Sequence, residues 1–263
     1  MSATLQPQMI DVGAAAAKRG IATLVAAGGT PGLIWLPGFK SDMVSTKASA
    51  LAEWAAGRQL GCTRFDYSGH GQSGGRFEDG TIGRWLEEAE TVFRQKTTGP
   101  QIVVGSSMGG YIALLLLRRL LRSTPADAGR IKGLVLIAPA WDMTEELMWQ
   151  RFCDDAKAAI ESKGVWLRPS AYGQPYPITR RLIEDGRRHL LGRQPWNPDR
   201  PVHIIHGKLD PDVPWQHTVA LEGLLEGGWA RVTWVDDGEH RLSRLEDLDL
   251  MYEIIDGMIG SWA

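Results

Sequence analysis

Residues 101–111 read QIVVGSSMGGY: an apolar run that favours strand breaks at two serines set among glycines and passes into the helix-favouring run IALLLLRRLL. A strand that must become a helix within two residues is forced into a strained backbone at the turn. Small residues at positions −2 and +2 let the flanking segments approach closely. Gly105-Ser106-Ser107-Met108-Gly109 places G-x-S-x-G on Ser107, whereas centring it on Ser106 would need glycine where Val104 and Met108 stand. Ser107 is therefore the candidate nucleophile, with Oγ projected above a sheet. The Met108 amide, at the start of a helix, is aimed at developing negative charge. The pentapeptide alone also fits an ordinary tight turn; the strand before it and the helix after it give it weight.

The rest of the chain keeps the same alternation. Apolar runs at 32–38, 131–140, 201–207 and 230–235 read as strands, 62–75 as a strand running into a glycine-rich loop, and 81–95, 108–122, 216–226 and 245–261 have helical spacing. Continuous apolar strands alternating with helices imply a mainly parallel sheet covered on both faces, an α/β fold. Segments 8–12 and 20–26 fit an antiparallel edge hairpin. Thr81 is placed to cap the helix that follows it. Residues 141–200 break the rhythm and contain no good strand. They predict a helix at 143–162, a Gly/Pro/Tyr-rich loop at 164–177 and a basic helix near 178–191. The expected organisation is a core of residues 1–140 and 201–263 with a lid inserted at 141–200.

A serine hydroxyl needs a base, and the base an orienting acid; on such a sheet the order is Ser, Asp or Glu, His. His240 in WVDDGEHRL lies between the last strand and the last helix and is the candidate base. Asp210 in HGKLDPDVPW follows a strand by a short turn and is the candidate acid. Asp212 competes with it, or helps to cap the next helix. The second oxyanion donor is expected from LPGFKSDM, where Gly38 permits the turn and the Phe39 N–H is the candidate. Trp141, Trp166, Tyr172 and Trp215 are candidate apolar walls for an acyl chain or an aromatic acid; core packing accounts for such residues equally well. Five arginines at 180, 181, 187, 188 and 193 would attract an anionic substrate, or form a solvated helix face paired with Glu184 and Asp185.

The motifs LPGFKSDM, RFDYSGHGQSGG, GPQIVVGSSMGG, HGKLDPDVPW and GEHRL occur in this order over residues 30–263, and KGVWLRPSAYG lies within the inserted segment. In these residues the chain resembles the α/β-hydrolase superfamily. More narrowly it resembles the family of α/β-hydrolase domain-containing protein 10, palmitoyl-protein thioesterases and acyl-glucuronide esterases, with its bacterial relatives. The resemblance implies an eight-stranded sheet with a small helical lid and a Ser107, Asp210, His240 triad, and it implies no cofactor. Eukaryotic members are mitochondrial; the chain begins without an Arg/Ser-rich presequence, so that location is not carried over.

Composition narrows the partners. The 263 residues carry a net charge of −2 with no basic stripe, which points away from nucleic acid. Cys62 and Cys153 form no CxxC pair, and the apolar run YIALLLL is too short to span a bilayer. A cytoplasmic protein without a signal peptide is the expectation. HIIH at 203–206 lacks metal-site spacing, because i and i+3 on a strand face opposite sides, and no complete dinucleotide signature occurs. The expected activity is hydrolysis of a carboxylic ester or thioester, on a small molecule or an acylated protein, through an acyl-enzyme. Acyl transfer, carbon–carbon bond hydrolysis and a non-catalytic small-molecule receptor are the alternatives. An epoxide hydrolase or dehalogenase would want aspartate at 107.

Overall fold

A computed structural model describes residues 5–170, 173–192 and 194–261. The strands are β1 (Gln8–Val12), β2 (Arg19–Ala26), β3 (Gly29–Leu36), β4 (Leu60–Phe65), β5 (Gln101–Ser106), β6 (Ile131–Ile137), β7 (Val165–Ser170), β8 (Gly173–Thr179), β9 (Val202–Gly207) and β10 (Ala230–Val235). The helices are α1 (Thr46–Gly57), α2 (Ile82–Lys96), α3 (Met108–Ser123), α4 (Pro125–Ala128), α5 (Asp154–Lys163), α6 (Arg180–Gly186), α7 (Trp215–Leu224) and α8 (Leu245–Gly260). Eight strands form one sheet in the order β1-β2-β4-β3-β5-β6-β9-β10. β1 and β2 form the antiparallel edge, and from β4 onward neighbours run parallel.

The strands are apolar throughout because both faces are covered. Ile34, Leu36, Val103, Leu134, Leu136 and Ile204 pack on the side of α2 and α3. The alternate residues Leu33, Trp35, Ile102, Val104, Val135 and Ile205 pack on the side of α1 and α8. This two-residue alternation is the pleat itself. Thr81 caps α2 by accepting from the Arg84 amide. Helix α1 was not anticipated from sequence: its apolar positions are mostly alanines, and only Ala48, Leu51 and Ala55 are buried.

The insertion at 141–200 differs most from expectation. The helix expected over 143–162 is broken into a π turn at Thr144–Met148, a 3-10 turn at Trp149–Arg151 and then α5. The segment expected to be a loop is a β-hairpin, with Trp166 opposite Ile178, Leu167 opposite Pro177 and Arg168 opposite Tyr176. VWLR alternates: Trp166 packs edge-on against Phe152 at 4.9 Å and Arg168 lies over the same ring, while Leu167 is exposed. Pro175 and Pro177 masked the strand, yet a two-stranded ribbon has outer edges where a proline removes no ladder bond. The expected basic helix ends at Gly186. Its arginines pair outside it, Arg181 with Asp79 and Arg187 with Glu145, while Asp185 accepts the Gly83 amide. Arg193 lies outside the described residues.

One buried ion pair ties β2 to the segment that passes under the site. Arg19 pairs with Glu88 of α2, and the other Glu88 oxygen accepts the Ser68 amide at 2.8 Å. The Glu88 side chain is fully buried. Arg19→Met leaves that carboxylate without its cation, and urea unfolding is expected to record a loss of about 3–5 kcal/mol.

Candidate active site

Strand β5 enters the turn at Ser106 and α3 leaves it at Met108, with Ser107 between them at φ 53° and ψ −117°. A side-chain-bearing residue adopts positive φ only when its surroundings hold it there. Here the Ser107 amide donates to Ile137 O at 2.8 Å, and its carbonyl accepts from Gly110 at 3.0 Å and Ala140 at 3.1 Å. The glycine frame is steric. A Cβ on Gly105 would stand 2.5 Å from Gly109 O, and one on Gly109 would stand 1.9 Å from Leu36 O. Ser106 is buried beside the half-buried Ser107.

His240 reaches Ser107 from the loop after β10. Its Nε2 lies 3.0 Å from Ser107 Oγ, and its Nδ1 lies 2.7 Å from Asp210 Oδ2. Asp210, after β9, has a fully buried side chain whose Oδ1 accepts the amides of Asp212 and Val213 at 2.8 and 2.9 Å. With a carboxylate on Nδ1, that nitrogen carries the proton and Nε2 offers its lone pair to the hydroxyl. Asp212 is exposed and Pro214 occupies the N-cap of α7, so neither role considered for the Asp212 side chain is occupied. Asp236 and Asp237 pair with Lys208 and Arg244. Beneath the acid loop, buried His206 donates from Nε2 to Val213 O at 2.9 Å and accepts the Thr218 hydroxyl at Nδ1, 2.8 Å.

The loop after β3 lies against the turn: a Cβ on Gly38 would stand 3.4 Å from Ser107 Cβ. Ser41 N donates to Gly38 O at 3.0 Å, closing a turn with Phe39 and Lys40 in its middle. The Phe39 amide has no backbone acceptor among the described residues, and Met108, in the first turn of α3, has no intrahelical one. The DYSGHGQSGG segment anchors this loop. Asp66 accepts Met43 N at 2.6 Å and Gln72 N at 2.7 Å, and His70 Nε2 accepts Lys40 N at 3.0 Å. From the insertion, Tyr176 meets the Phe39 ring at 5.9 Å and lies under Lys40 Nζ at 4.3 Å.

The aromatic wall candidates fall in different places. Trp141 is buried and stacked on His217, its indole donating to His217 O at 2.9 Å. Trp166 is inside the insertion against Phe152, and Trp215 is exposed with its ring perpendicular to that of Trp234. Tyr172 lies outside the described residues. A cavity of about 760 Å³ opens between the insertion and α7, lined by Trp141, Glu145, Leu147, Arg151, Arg187 and His217 among others. None of Ser107, Asp210 and His240 borders it.

The family described as Serine aminopeptidase, S33 matches residues 33–182. The palmitoyl-protein thioesterase ABHD10, mitochondrial, of Pongo abelii is 32% identical over 88% of this chain and 74% of its own length. Among solved structures, a protein of Agrobacterium vitis S4 described as a hydrolase is 43% identical, with a TM-score of 0.93 over 97% of this chain and 99% of that one. Mouse α/β-hydrolase domain-containing protein 10 is 29% identical, with a TM-score of 0.85 over 98% and 100%. The chain belongs to the ABHD10 family of α/β-hydrolases.

In this ABHD10-family hydrolase, sequence reasoning passed over Asp66, His70 and Tyr176, which surround the Phe39 loop. The signal for the first two was a loop motif, DYSGHGQSGG, denser in polar and glycine residues than a turn needs. Asp210, Asp212 and His240 bring ligand-type atoms within 4.8 Å of one another. A metal there would have to displace the Asp210–His240 bond, so the donor set fits a proton relay better than a cation.

Burial of His217, which stacks on Trp141 from within α7, lowers its pKa to about 4, and burial raises Asp142 to about 6. A histidine whose folded pKa lies below its unfolded value stabilises fully above about 6.5, and that contribution is lost as pH falls toward 4. Asp142 acts with the opposite sign over the same window. In His217→Gln the histidine contribution vanishes and that of Asp142 stays. Between pH 7.5 and 4.5, denaturant unfolding of the wild type is expected to lose about 2–3 kcal/mol more than that of His217→Gln.

Proposed function

We propose that the protein is a serine hydrolase that cleaves carboxylic esters or thioesters of acyl groups through an acyl-enzyme. The observation that carries this reading is the hydrogen-bonded line from Ser107 Oγ through the His240 ring to buried Asp210. His240 Nε2 takes the hydroxyl proton as Oγ attacks the acyl carbonyl, and the Phe39 and Met108 amides receive the oxyanion. The imidazolium returns its proton to the leaving alcohol or thiol. Asp210 holds the tautomer and the charge without taking the proton. A water then enters, loses a proton to Nε2 and releases the acid, restoring Ser107. All of these steps use side chains and amides of this chain.

The acyl class is supported by the relatives named as palmitoyl-protein thioesterases and by the aromatic surroundings of the Phe39 loop, where Phe77, Trp85 and Tyr176 pack around Phe39. Tyr176 brings the insertion onto the oxyanion loop, which makes the hairpin the element that borders the entering acyl group. No helix among the described residues is long and apolar enough to cross a membrane. The substrate is proposed to be a small molecule or an acylated protein.

A panel of esters and thioesters of graded acyl length tests the reading. Ser107→Ala is expected to lose about 10⁶-fold in kcat, and Asp210→Asn about 10⁴-fold. A fluorophosphonate should label the wild type at Ser107 and leave Ser107→Ala unlabelled. Labelling without turnover of any acyl substrate would favour acyl transfer or carbon–carbon bond hydrolysis at the same serine.

A further inference from the structure

The turn that carries Phe39 has a feature its role as an amide donor does not explain. Closure by Ser41 N to Gly38 O leaves the amides of both middle residues, Phe39 and Lys40, outside the closing bond. Lys40 stands at φ 59°, a conformation that glycine takes freely and a side-chain-bearing residue takes only under constraint. A turn with positive φ at its third residue can relax by flipping its central peptide, which turns the Phe39 carbonyl to where the Lys40 N–H had been. Something has to hold that peptide.

His70 is placed to do so. Its Nε2 lies 3.0 Å from the Lys40 nitrogen, and its Nδ1 lies 3.1 Å from Ser68 O. A backbone amide can only donate and a carbonyl can only accept, so the two contacts fix the ring as neutral, with its proton on Nδ1 and a lone pair on Nε2. The ring is buried and packed against Phe39, Tyr67, Phe77 and Trp85. Burial and the nearby Lys40 lower its pKa, while the Ser68 carbonyl and Asp42 act in the opposite sense. Ser68 itself is held by Glu88, so the acceptor stands on the buried Arg19–Glu88 pair.

We propose that His70 is a positioning residue for the oxyanion site: by accepting the Lys40 amide it locks the Phe39–Lys40 peptide against flipping, leaving the Phe39 amide as the one the turn offers to substrate. This rests on Ser107 acting as nucleophile beside that turn. His70 touches no reacting atom. A flip would leave the Phe39 N–H, which belongs to the preceding peptide, in place and reverse the peptide dipole beside it, so the effect falls on the charged tetrahedral intermediate and hardly on ground-state binding.

The test compares His70→Phe, which keeps an aromatic ring and removes the acceptor, with His70→Gln, which restores an acceptor at the Nε2 position. The readouts are kcat, KM, Tm and affinity for an acyl trifluoromethyl ketone, which forms a hemiketal oxyanion on the serine. His70→Phe is expected to lower kcat by about 10- to 100-fold with KM within about threefold, and to weaken the ketone by the same factor as kcat. His70→Gln is expected to retain kcat within about fivefold of wild type. Adding Lys40→Gly to His70→Phe should recover part of kcat, because glycine holds the turn without the lock. A folded His70→Phe with kcat within twofold of wild type overturns the proposal. So does a loss of kcat with unchanged ketone affinity, or a folded His70→Gln as impaired as His70→Phe. If Ser107→Ala retained activity, the nucleophile assignment would fail instead, a result separable from any of these.

Discussion

The close passage of α3 beneath the end of β3 is the constraint on which the rest of the site depends. A methyl group on Gly109 would overlap Leu36 O, and one on Gly105 would overlap Gly109. Because neither exists, β5 can end, reverse and become a helix while Ser107 stands at positive φ above the sheet. The strain is held by hydrogen bonds to Ile137, Gly110 and Ala140, which belong to β6, α3 and the segment after β6. The serine is therefore tied by its own backbone to the centre of the sheet. Any partner that reaches it from a loop meets a fixed point.

Three loops meet that point, and each is fixed by a different device. The acid loop is held by its own amides on Asp210 and by the buried His206 below it. The His240 loop lies close over β9, where a Cβ on Gly207 would stand 2.3 Å from Gly238 O. The Phe39 loop is anchored through Asp66 and through His70, whose acceptor Ser68 is held in turn by Glu88 and Arg19. A preorganised site costs little reorganisation at the moment of reaction, and buried, fully bonded polar groups are how a protein holds one. The insertion adds Tyr176 over Phe39 and is tied to the core by Tyr111, whose hydroxyl donates to His189 O at 2.7 Å.

Much of the fold was legible because the sheet is buried on both faces and its helices are amphipathic. Such strands are continuous apolar runs, and the runs read at 101–105, 131–140, 201–207 and 230–235, which became β5, β6, β9 and β10, needed no tertiary information. Helix α1 was hard to read because alanines give a weak face. The hairpin of the insertion was hidden by Pro175 and Pro177, whose tolerance depends on which strand edge is unpaired. The basic segment suggested one helix with internal ion pairs, whereas its arginines meet Asp79 and Glu145 from elsewhere in the chain.

Local chain geometry and residue order, which the sequence carries directly, were enough to single out Ser107 over Ser106 and to nominate Asp210 and His240. A glycine frame excludes alternatives by sterics alone, and a strand-to-helix junction is a property of neighbouring residues. Tertiary structure decided which carboxylate of the DPD pair faces the imidazole, where the aromatic residues stand, and what His70 does. Those outcomes depend on contacts between segments distant in sequence, such as Lys40 with His70 and Phe39 with Tyr176. Periodicity and spacing carry no record of such contacts, because they are fixed only when the sheet has brought its loops to one edge.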